Sequence, residues 1–503
     1  MVHALEVFEI RQHVGKYLPR RSLLASLRVS RSWHDSLLAQ LWSEVDLRPN
    51  PNDRKVVAKR SKAKRALRLP SVEQVQEHAH LVRKLSIHDF LSLPYSIIDF
   101  TGLLELDIDA EEEFTRLGQG HPAKHNIHME RIILNNPQLE VIRIRSPYCY
   151  LVEPFWKACH DQALDLEFLS IYDTFIPPEA APWFWKTVAQ CKAVELNDVG
   201  TVDLWSMSSP PDFSKIQRIS FKSMDSITPA DTWKTMALCT NATSIEWQGY
   251  PEMRKFNPTR FFIPGTMRNV RQLKLDIRIT DHSLSVLLDF MEPLTSLDIE
   301  EMQLERSGCI SLRRHFPTLE HLNIRECPYA NSPFIQEVLS SCPSLKSLMA
   351  DSLHARDTFN GRPWVCIELE KWHVSVDIRS RHGLKRNDHQ AIFARLGQLQ
   401  KLKVLDLSLH TQPYYNEGER SIELKLPLGL SALSGLERLR ELRLGKTRQW
   451  LETRDVLWMV NQWPLLKLVQ GNLHNKSEIN GELKAVLRQH KVEWAEEERR
   501  KWW

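Results

Sequence analysis

A short pattern of apolar and polar residues, Leu-x-x-Leu-x-Leu or its Ile variant, recurs along most of the chain from about residue 80. Clear copies occupy 139–144, 166–171, 270–275, 294–299, 319–324, 402–407 and 439–444, and weaker copies begin at 82, 103, 216, 242 and 345. Between residues 216 and 345, successive copies start 24 to 28 residues apart. A period in the twenties with this pattern is typical of leucine-rich repeats, in which each repeat contributes one strand and one returning segment.

The segments between the copies predict helices. The stretches 281–293, 333–343 and 388–399 carry apolar residues at helical spacing. Pro137, Pro317 and Pro343 each stand just before a strand leucine, where proline disfavours helix in the preceding residue. Since one repeat cannot bury its apolar face alone, the repeats must stack. The sequence therefore predicts an α/β fold, a curved solenoid with a parallel sheet on its concave face. Irregular spacing at 103–139 and 345–402 predicts inserted loops or degenerate repeats there.

The amino-terminal stretch from Glu9 to Trp33 has a different character. Apolar residues at steps of three and four predict a first helix that Pro19 ends, and two further short helices follow it; the positions are Val7, Ile10, Val14 and Leu18, then Leu23, Leu24 and Leu27, then Val29, Trp33 and Leu37. Three helices in about 40 residues bury too little surface to be stable alone. We therefore expect the repeat domain or a partner to complete this unit.

This stretch resembles an F-box. The resemblance rests on Glu9-Ile10, Val14, Tyr17-Leu18, Leu23 and the pair Val29 and Trp33, and it covers roughly residues 5–47. Glu6-Val7 stand where the family commonly has Leu-Pro, which is a departure in the segment that contributes to the adaptor surface.

The order of F-box first and repeats after is that of the F-box/leucine-rich-repeat family, whose members are substrate receptors of Skp–cullin–F-box ubiquitin ligases. The resemblance implies a non-catalytic subunit that binds a Skp-type adaptor and, through it, a cullin, while the repeats hold a protein target. It also implies an adaptor surface formed by Ile10, Val14, Leu18 and Leu23, with Trp33 holding the bundle together. The alternative is that the helices only cap the first repeat of a protein-interaction scaffold without a ubiquitin role.

Four segments follow from these patterns. We expect an F-box at 1–47, a basic linker and lead-in helix at 48–80, the solenoid at 81–475 and a cap or tail at 476–503. The stretch 53–70 holds eight Lys or Arg residues and one Asp, which is typical of a solvated linker but also of a nuclear-import signal or a nucleic-acid contact.

Strand alternation selects candidate target-binding residues on the concave face. These are Arg143, Arg145, Tyr172, Arg218, Lys274, Asp298 and Arg325. Other outward positions are acidic, among them Glu105, Asp107 and Glu300, so charges of both signs alternate from repeat to repeat, whereas nucleic acid requires a continuous positive track. The pattern therefore favours a protein partner that is selected by complementary charge, and a nucleic-acid-binding module would depend on the basic stretch alone.

Composition narrows the remaining classes. With 42% hydrophobic and 26% charged residues and a net charge of +4, the chain is typical of a folded protein. We find no signal-peptide pattern and no apolar run long enough to span a membrane. The eight cysteines lack a CxxC motif, which favours reduced thiols in the cytoplasm or nucleus.

Motifs for catalysis, metals and cofactors are not convincing. The Gly-Lys-Thr at 445–447 lacks the earlier glycine of a phosphate loop, since position 440 is Arg. His121, His125 and His128 share one helical face, but Pro122 and the lack of an acidic or thiol partner favour a solvated loop. The sequence therefore predicts no catalytic residues, no metal and no cofactor.

Overall fold

The structure, a computed structural model, describes residues 7–47, 70–88, 98–109, 129–145, 151–200, 209–223, 228–249, 267–277, 279–378, 385–408 and 421–496, with the single residues 95, 204 and 207. The histidines at 121, 125 and 128 and all but the last residue of the basic stretch 53–70 lie outside the described residues. The chain divides into two compact units, Met1–Ala242 and Thr243–Trp503.

The first unit begins with three short helices and continues with strands and helices in alternation. Its helices are α1 Phe8–Gly15, α2 Arg20–Ser26, α3 Arg31–Trp42, α4 Val72–Glu77, α5 Glu153–Gln162, α6 Ala181–Gln190 and α7 Pro229–Leu238. Its strands are β1 Glu44–Asp46, β2 Lys84–His88, β3 Glu105–Asp109, β4 Val141–Arg145, β5 Phe168–Phe175, β6 Ala193–Gly200 and β7 Arg218–Lys222.

The second unit repeats the alternation of strand and helix. Its strands are β8 Ser244–Gln248, β9 Gln272–Asp276, β10 Ser296–Asp298, β11 His321–Asn323, β12 Ser347–His354, β13 Lys371–Asp377, β14 Val404–Asp406, β15 Glu441–Arg443, β16 Leu468–Gln470 and β17 Glu493–Ala495. Its helices are α8 Asp281–Phe290, α9 Arg306–Leu312, α10 Ser332–Ser341, α11 Ala355–Asn360, α12 Lys385–Leu396, α13 Thr453–Gln462 and α14 Ser477–Gln489.

All strand pairs within each unit are parallel and follow the order of the chain. In the first unit β1 to β7 pair consecutively, and in the second unit β8 to β17 do the same. Consecutive parallel strands joined by returning segments are the architecture of a leucine-rich-repeat solenoid. The predicted fold class is confirmed.

Apolar side chains at the predicted strand positions form the core. Leu319, Leu322 and Ile324 of one repeat are all buried. Leu322 aligns with Leu297 of the preceding strand and Leu348 of the following strand, so that the leucines form one continuous ladder. The spacing of the pattern therefore indicates both the strand and the side of the sheet that packs inward.

Two strands occur where the sequence pattern has no leucine in the usual place. At β6 the first two positions of the pattern are Cys191, just before the strand, and Val194 within it, and β13 carries Trp372 at the second position. All three side chains are buried, because a cysteine, a valine or a tryptophan can fill the same space in the core. The predicted degenerate repeat between 345 and 402 is the repeat of β13.

Polar side chains define where the returning segments begin and end. Thr228, Thr280 and Asn331 precede α7, α8 and α10, and each accepts a hydrogen bond from a backbone N–H of the first turn. Asn136 is buried before β4, where its amide donates to the backbone oxygens of Phe100 and Ile132. These bonds satisfy backbone groups that the change from helix to strand leaves unpaired.

Seven cysteines in the described ranges are buried with free thiols. Burial raises the pKa of Cys309 to about 11 and the pKa of Cys191 and Cys366 to about 12. Because the thiolate is the reactive form, these side chains serve as small core residues rather than nucleophiles.

Candidate functional site: an apolar helical surface and the open faces of the sheet

The three amino-terminal helices pack closely at one point. Gly15 of α1 is buried against α3, and a Cβ atom placed there would lie 2.6 Å from a methyl carbon of Leu37. Gln40 of α3 donates a side-chain hydrogen bond to the backbone oxygen of Gln12. Glycine at position 15 therefore permits the approach of the two helices, which leaves little volume for a core between them.

The same helices leave large apolar side chains in solvent. Phe8, Ile10, Tyr17, Leu24 and Val29, which we call the amino-terminal apolar surface, are between 39% and 76% exposed. Val14 and Leu18 are half-buried, and so is Trp33. Leu23, in contrast, is only 7% exposed, so it lies inside the helical unit. Of the four predicted adaptor residues, Ile10 is 39% exposed, Val14 and Leu18 are half-buried, and Leu23 is almost fully buried.

Helix α3 and strand β1 join this unit to the repeats. The ring centroids of Trp42 and His78 lie 4.6 Å apart. Strand β1 pairs in parallel with β2, and the backbone N–H groups of Arg83 and Lys84 donate to the carbonyl oxygen of Ser43 over 2.9 Å. The covering of the first repeat is thus provided by α3 and β1, which continue the sheet.

We call the side of each sheet away from the leucine core its open face. In the first unit this face carries Arg143, Arg145, Tyr172 and Arg218. The guanidinium carbons of Arg143 and Arg145 each lie 5.3 Å from a ring centroid, of Phe168 and Tyr172 respectively. Arg145 and Arg218 are exposed. The structure therefore places three of the predicted target residues on neighbouring strands, with Arg218 two strands further along.

Glu195 is a polar residue of this face that the sequence pattern missed. It accepts hydrogen bonds from the hydroxyls of Ser170 and Tyr172 over 3.2 and 3.3 Å. Glu195 lies on β6, whose strand pattern begins with cysteine instead of leucine. The alternation of Val194 and Leu196 is the signal that could have located it.

The open face of the second unit holds a polar network. The Asn323 amide donates to Asp298 over 2.8 Å and to Glu300 over 3.3 Å. The Arg325 guanidinium lies 3.4 Å from Glu300, and its side chain is 5% exposed. Arg325, although predicted to present its charge to a target, is covered by this network, because it pairs with a carboxylate of its own sheet.

Two charged side chains near this network have shifted pKa values. Lys274 donates to Glu246 over 2.9 Å, and this hydrogen bond raises the pKa of the ammonium group. Burial raises the pKa of the Asp298 carboxyl, an effect that the charge of Lys274 opposes. Lys274, Asp298 and Arg325 thus lie in one neighbourhood on β9, β10 and the end of β11.

The described residues contain neither a metal-binding cluster nor a helix suited to a membrane. No group of three or more His, Cys, Asp or Glu side chains within them is arranged to hold a metal ion. No helix in the same part of the chain combines the length and the apolar character that crossing a membrane requires.

Comparison with known proteins gives structural likeness only. No protein-family model and no curated protein matches the sequence. The chain is similar to an internalin (inlF) from Listeria monocytogenes, with 12% identity over 78% of this chain and 88% of that one, at a TM-score of 0.36. It is similar to a chain of the Toll–Spatzle complex of Drosophila, with 14% identity over 81% and 60% of the two chains and a TM-score of 0.37. It is also similar to a chain of the Rad7 and Elc1 complex in yeast, with 14% identity over 95% of both chains and a TM-score of 0.38.

Proposed function

We propose that this protein is a substrate receptor of a cullin-based ubiquitin ligase. In this proposal the amino-terminal helices bind a Skp-type adaptor, which links the chain to a cullin, and the repeats bind a protein target. The amino-terminal apolar surface carries the proposal. It coincides with the stretch whose residue spacing resembles an F-box.

Exposed apolar residues at this density have a physical cost in a free chain. Phe8, Ile10, Tyr17, Leu24 and Val29 fall within 22 residues of sequence, and all are in solvent. Clusters of exposed apolar side chains mark protein-binding sites, and aromatic residues such as tyrosine are enriched among those that dominate binding. A partner that covers this surface would complete the core that the three helices lack.

The capping alternative explains less of this arrangement. A cap needs to shield the end of the first repeat, and α3 with β1 does this through Trp42 and the pairing with β2. Phe8 in α1, Leu24 in α2 and Tyr17 between these two helices remain exposed with the cap in place. Their exposure supports a second contact, with another protein.

The structure suggests different roles for the predicted adaptor residues. We assign Ile10, Val14 and Leu18 to direct contact, because part of each side chain reaches solvent. Leu23 is buried in the free chain, and we assign to it the positioning of α2 beneath the contact surface. Such a receptor needs no catalytic residue, since holding a target beside a ubiquitin-carrying enzyme raises the effective concentration of the reacting groups.

Co-purification tests the proposal. The full-length protein should co-purify with a Skp adaptor and a cullin, and Ile10→Glu should remove both because it places a charge in an apolar interface. Val14→Glu should have the same effect. Ser32→Glu is the matched control, since it adds the same charge at an exposed position of α3.

The result also decides between the two candidate functions. Retention of the adaptor by the Ser32→Glu variant and its loss from the Ile10→Glu variant would support the receptor. A wild-type protein that brings down protein targets but neither adaptor nor cullin would leave a leucine-rich-repeat scaffold.

A further inference from the structure

A cavity opens on the second unit where β9, β10 and β11 end. Its volume is about 470 Å³. Four carboxylates line it, from Asp276, Glu300, Glu301 and Glu326, and the exposed Pro328 forms an apolar part of its wall beside the almost fully buried Ile277 and Ile279. The cavity therefore combines negative charge with a small apolar surface at the ends of these strands.

The backbone holds two of these glutamates in place. Glu301 and Glu326 both adopt left-handed backbone conformations, with φ of 63° and 57°. The N–H of Glu301 donates to the Arg325 carbonyl oxygen over 2.9 Å, and the N–H of Glu326 donates to the Asp351 carboxylate over 2.9 Å. The carboxylates are thus carried by an ordered turn at the end of each strand.

The neighbouring cations neutralise this cavity only in part, through the ion pair of Arg325 with Glu300. Arg325 is directed to Glu300, and Lys274 is directed to Glu246. Within the described part of the chain, neither Glu301 nor Glu326 has a basic side chain at ion-pair distance. Burial raises the pKa of Glu326, and repulsion from Glu301, Asp351 and Glu300 raises it further. Burial and Glu300 likewise raise the pKa of Asp276.

The lining indicates which cation would fit. A lysine or arginine side chain has an aliphatic stem and a charged end, and such side chains bury the stem against apolar surface while the charge stays with polar groups. Pro328 can receive the stem, and the carboxylates of Asp276, Glu301 and Glu326 can receive the charge. A bare metal ion fits less well, since no three acidic side chains of the described residues are arranged as its ligands.

We infer that this cavity binds a lysine or arginine side chain from a basic segment of the target protein. The inference rests on the target-binding part of the proposed function and does not depend on the adaptor. Charge complementarity on the open face selects the partner, and the apolar wall favours a long aliphatic side chain over a small cation.

A peptide-binding experiment on the full-length protein tests the inference. Fluorescently labelled oligolysine and oligoarginine serve as probes, with oligoglutamate as the opposite charge, and binding is followed by fluorescence anisotropy. The variant combines Glu301→Gln and Glu326→Gln, which removes two charges with little change of shape. The matched control combines Glu437→Gln and Glu482→Gln, which removes two charges at exposed positions elsewhere in the same unit.

We expect both basic probes to bind the wild type and the control equally, and to bind the Glu301/Glu326 variant about tenfold more weakly. Added salt should weaken the wild-type affinity, because these charges are open to solvent. No binding of either basic probe to the wild type would overturn the inference. An equal loss in the variant and the control would do so too, because it would indicate attraction to the net charge alone.

Thermal unfolding checks that the variants are folded, and Glu326→Gln alone provides a second variant if the double substitution disturbs the fold.

Adaptor binding is measured on the same preparations. Adaptor binding without peptide binding would reject only this inference. Peptide binding without adaptor binding would reject only the ubiquitin part of the proposed function.

Discussion

Two segments of equal length, 8–42 in the amino-terminal helices and 319–353 in the repeats, bury very different amounts of apolar surface. In the helices only Leu23 and Leu37 are buried apolar side chains, and five large apolar residues are exposed. In the repeat segment fourteen apolar side chains are buried, and Tyr329 is the one large apolar residue among the exposed. The comparison separates a region that is stabilised by its own chain from a region whose apolar residues remain available to a partner.

The difference has a simple physical origin. Each repeat shares its core with the repeats on both sides, so neighbouring repeats cover its apolar residues from two directions. Among the described residues, α1 and α2 pack mainly against α3, and the main contacts with the repeats are made by α3 and β1. An apolar residue should therefore matter for folding in the repeats and for binding in the helices.

The largest effect should come from a charge in the repeat core. Leu322→Asp would place a carboxylate in the packed interior of β11, and we expect it to destabilise the protein by about 4 kcal/mol or more. His321→Asp, one residue away on an exposed position, is the control and should cost little. Chemical denaturation measures both. A Leu322→Asp variant that unfolds at the wild-type midpoint would contradict the assigned repeat register.

Removing a large exposed side chain from the amino-terminal helices should weaken adaptor binding and leave the stability of the free protein almost unchanged. Tyr17→Ala removes the most exposed of the apolar side chains, so the free protein should unfold at nearly the wild-type temperature. Its affinity for a Skp adaptor should fall by a factor of about 30, as when a residue that dominates an interface is truncated. Calorimetry and a binding titration on one preparation measure the two quantities. An unfolding temperature that drops with unchanged affinity would assign Tyr17 to the fold.

Reversing charge on the open face of the first unit should alter the choice of target. Arg143→Glu with Arg145→Glu should change which proteins co-purify and leave the protein folded, because both side chains reach solvent. Arg356→Glu with Arg362→Glu makes the same charge change at exposed positions outside the strands. Mass spectrometry of the bound proteins makes the comparison. If both variants retain the wild-type set, the target binds elsewhere.

The smallest effect should come from Asp298→Asn, which we expect to give a pH-dependent gain in stability. Because burial raises the pKa of Asp298 above its ordinary value, the native state holds this proton more tightly than the unfolded chain does. The charged form therefore destabilises the fold, and the loss develops as pH rises from the ordinary pKa through the raised one. Asp298→Asn should stabilise the protein at neutral pH by about 1 kcal/mol or less.

That gain should vanish under acidic conditions, below both pKa values, where Asp298 is neutral in the folded and the unfolded chain. Thermal unfolding at several pH values measures it, with Asp165→Asn at an exposed position as the control. A difference between the Asp298→Asn variant and the wild type that is constant across the pH range would show that Asp298 does not titrate as described.

The fold could be predicted from the sequence because one pattern encodes both the strand and its buried side. The sequence pattern missed the repeats of β6 and β13, because Cys191 and Trp372 stand in the place of leucine there and are buried in the same way. Alternation also assigned Arg325 to the open face, but it does not show whether neighbours cover a side chain. Only the contact with Glu300 reveals that Arg325 is buried.

The candidate sites were predictable to different degrees. The F-box-like spacing located the helical surface, but it could not distinguish exposed Ile10 from buried Leu23, because both are apolar residues on short helices. The acidic cavity was not predicted. Its carboxylates come from three successive repeats, and the left-handed conformations of Glu301 and Glu326 leave no mark in a pattern of apolar residues.

The most direct test of the account is a calorimetric titration of the purified full-length protein with a purified Skp adaptor. We predict one adaptor per chain, a Kd below about 1 μM and a negative heat-capacity change, since the amino-terminal apolar surface leaves water on binding. An absence of binding heat and of co-migration in size-exclusion chromatography with both proteins at about 10 μM would contradict the receptor function.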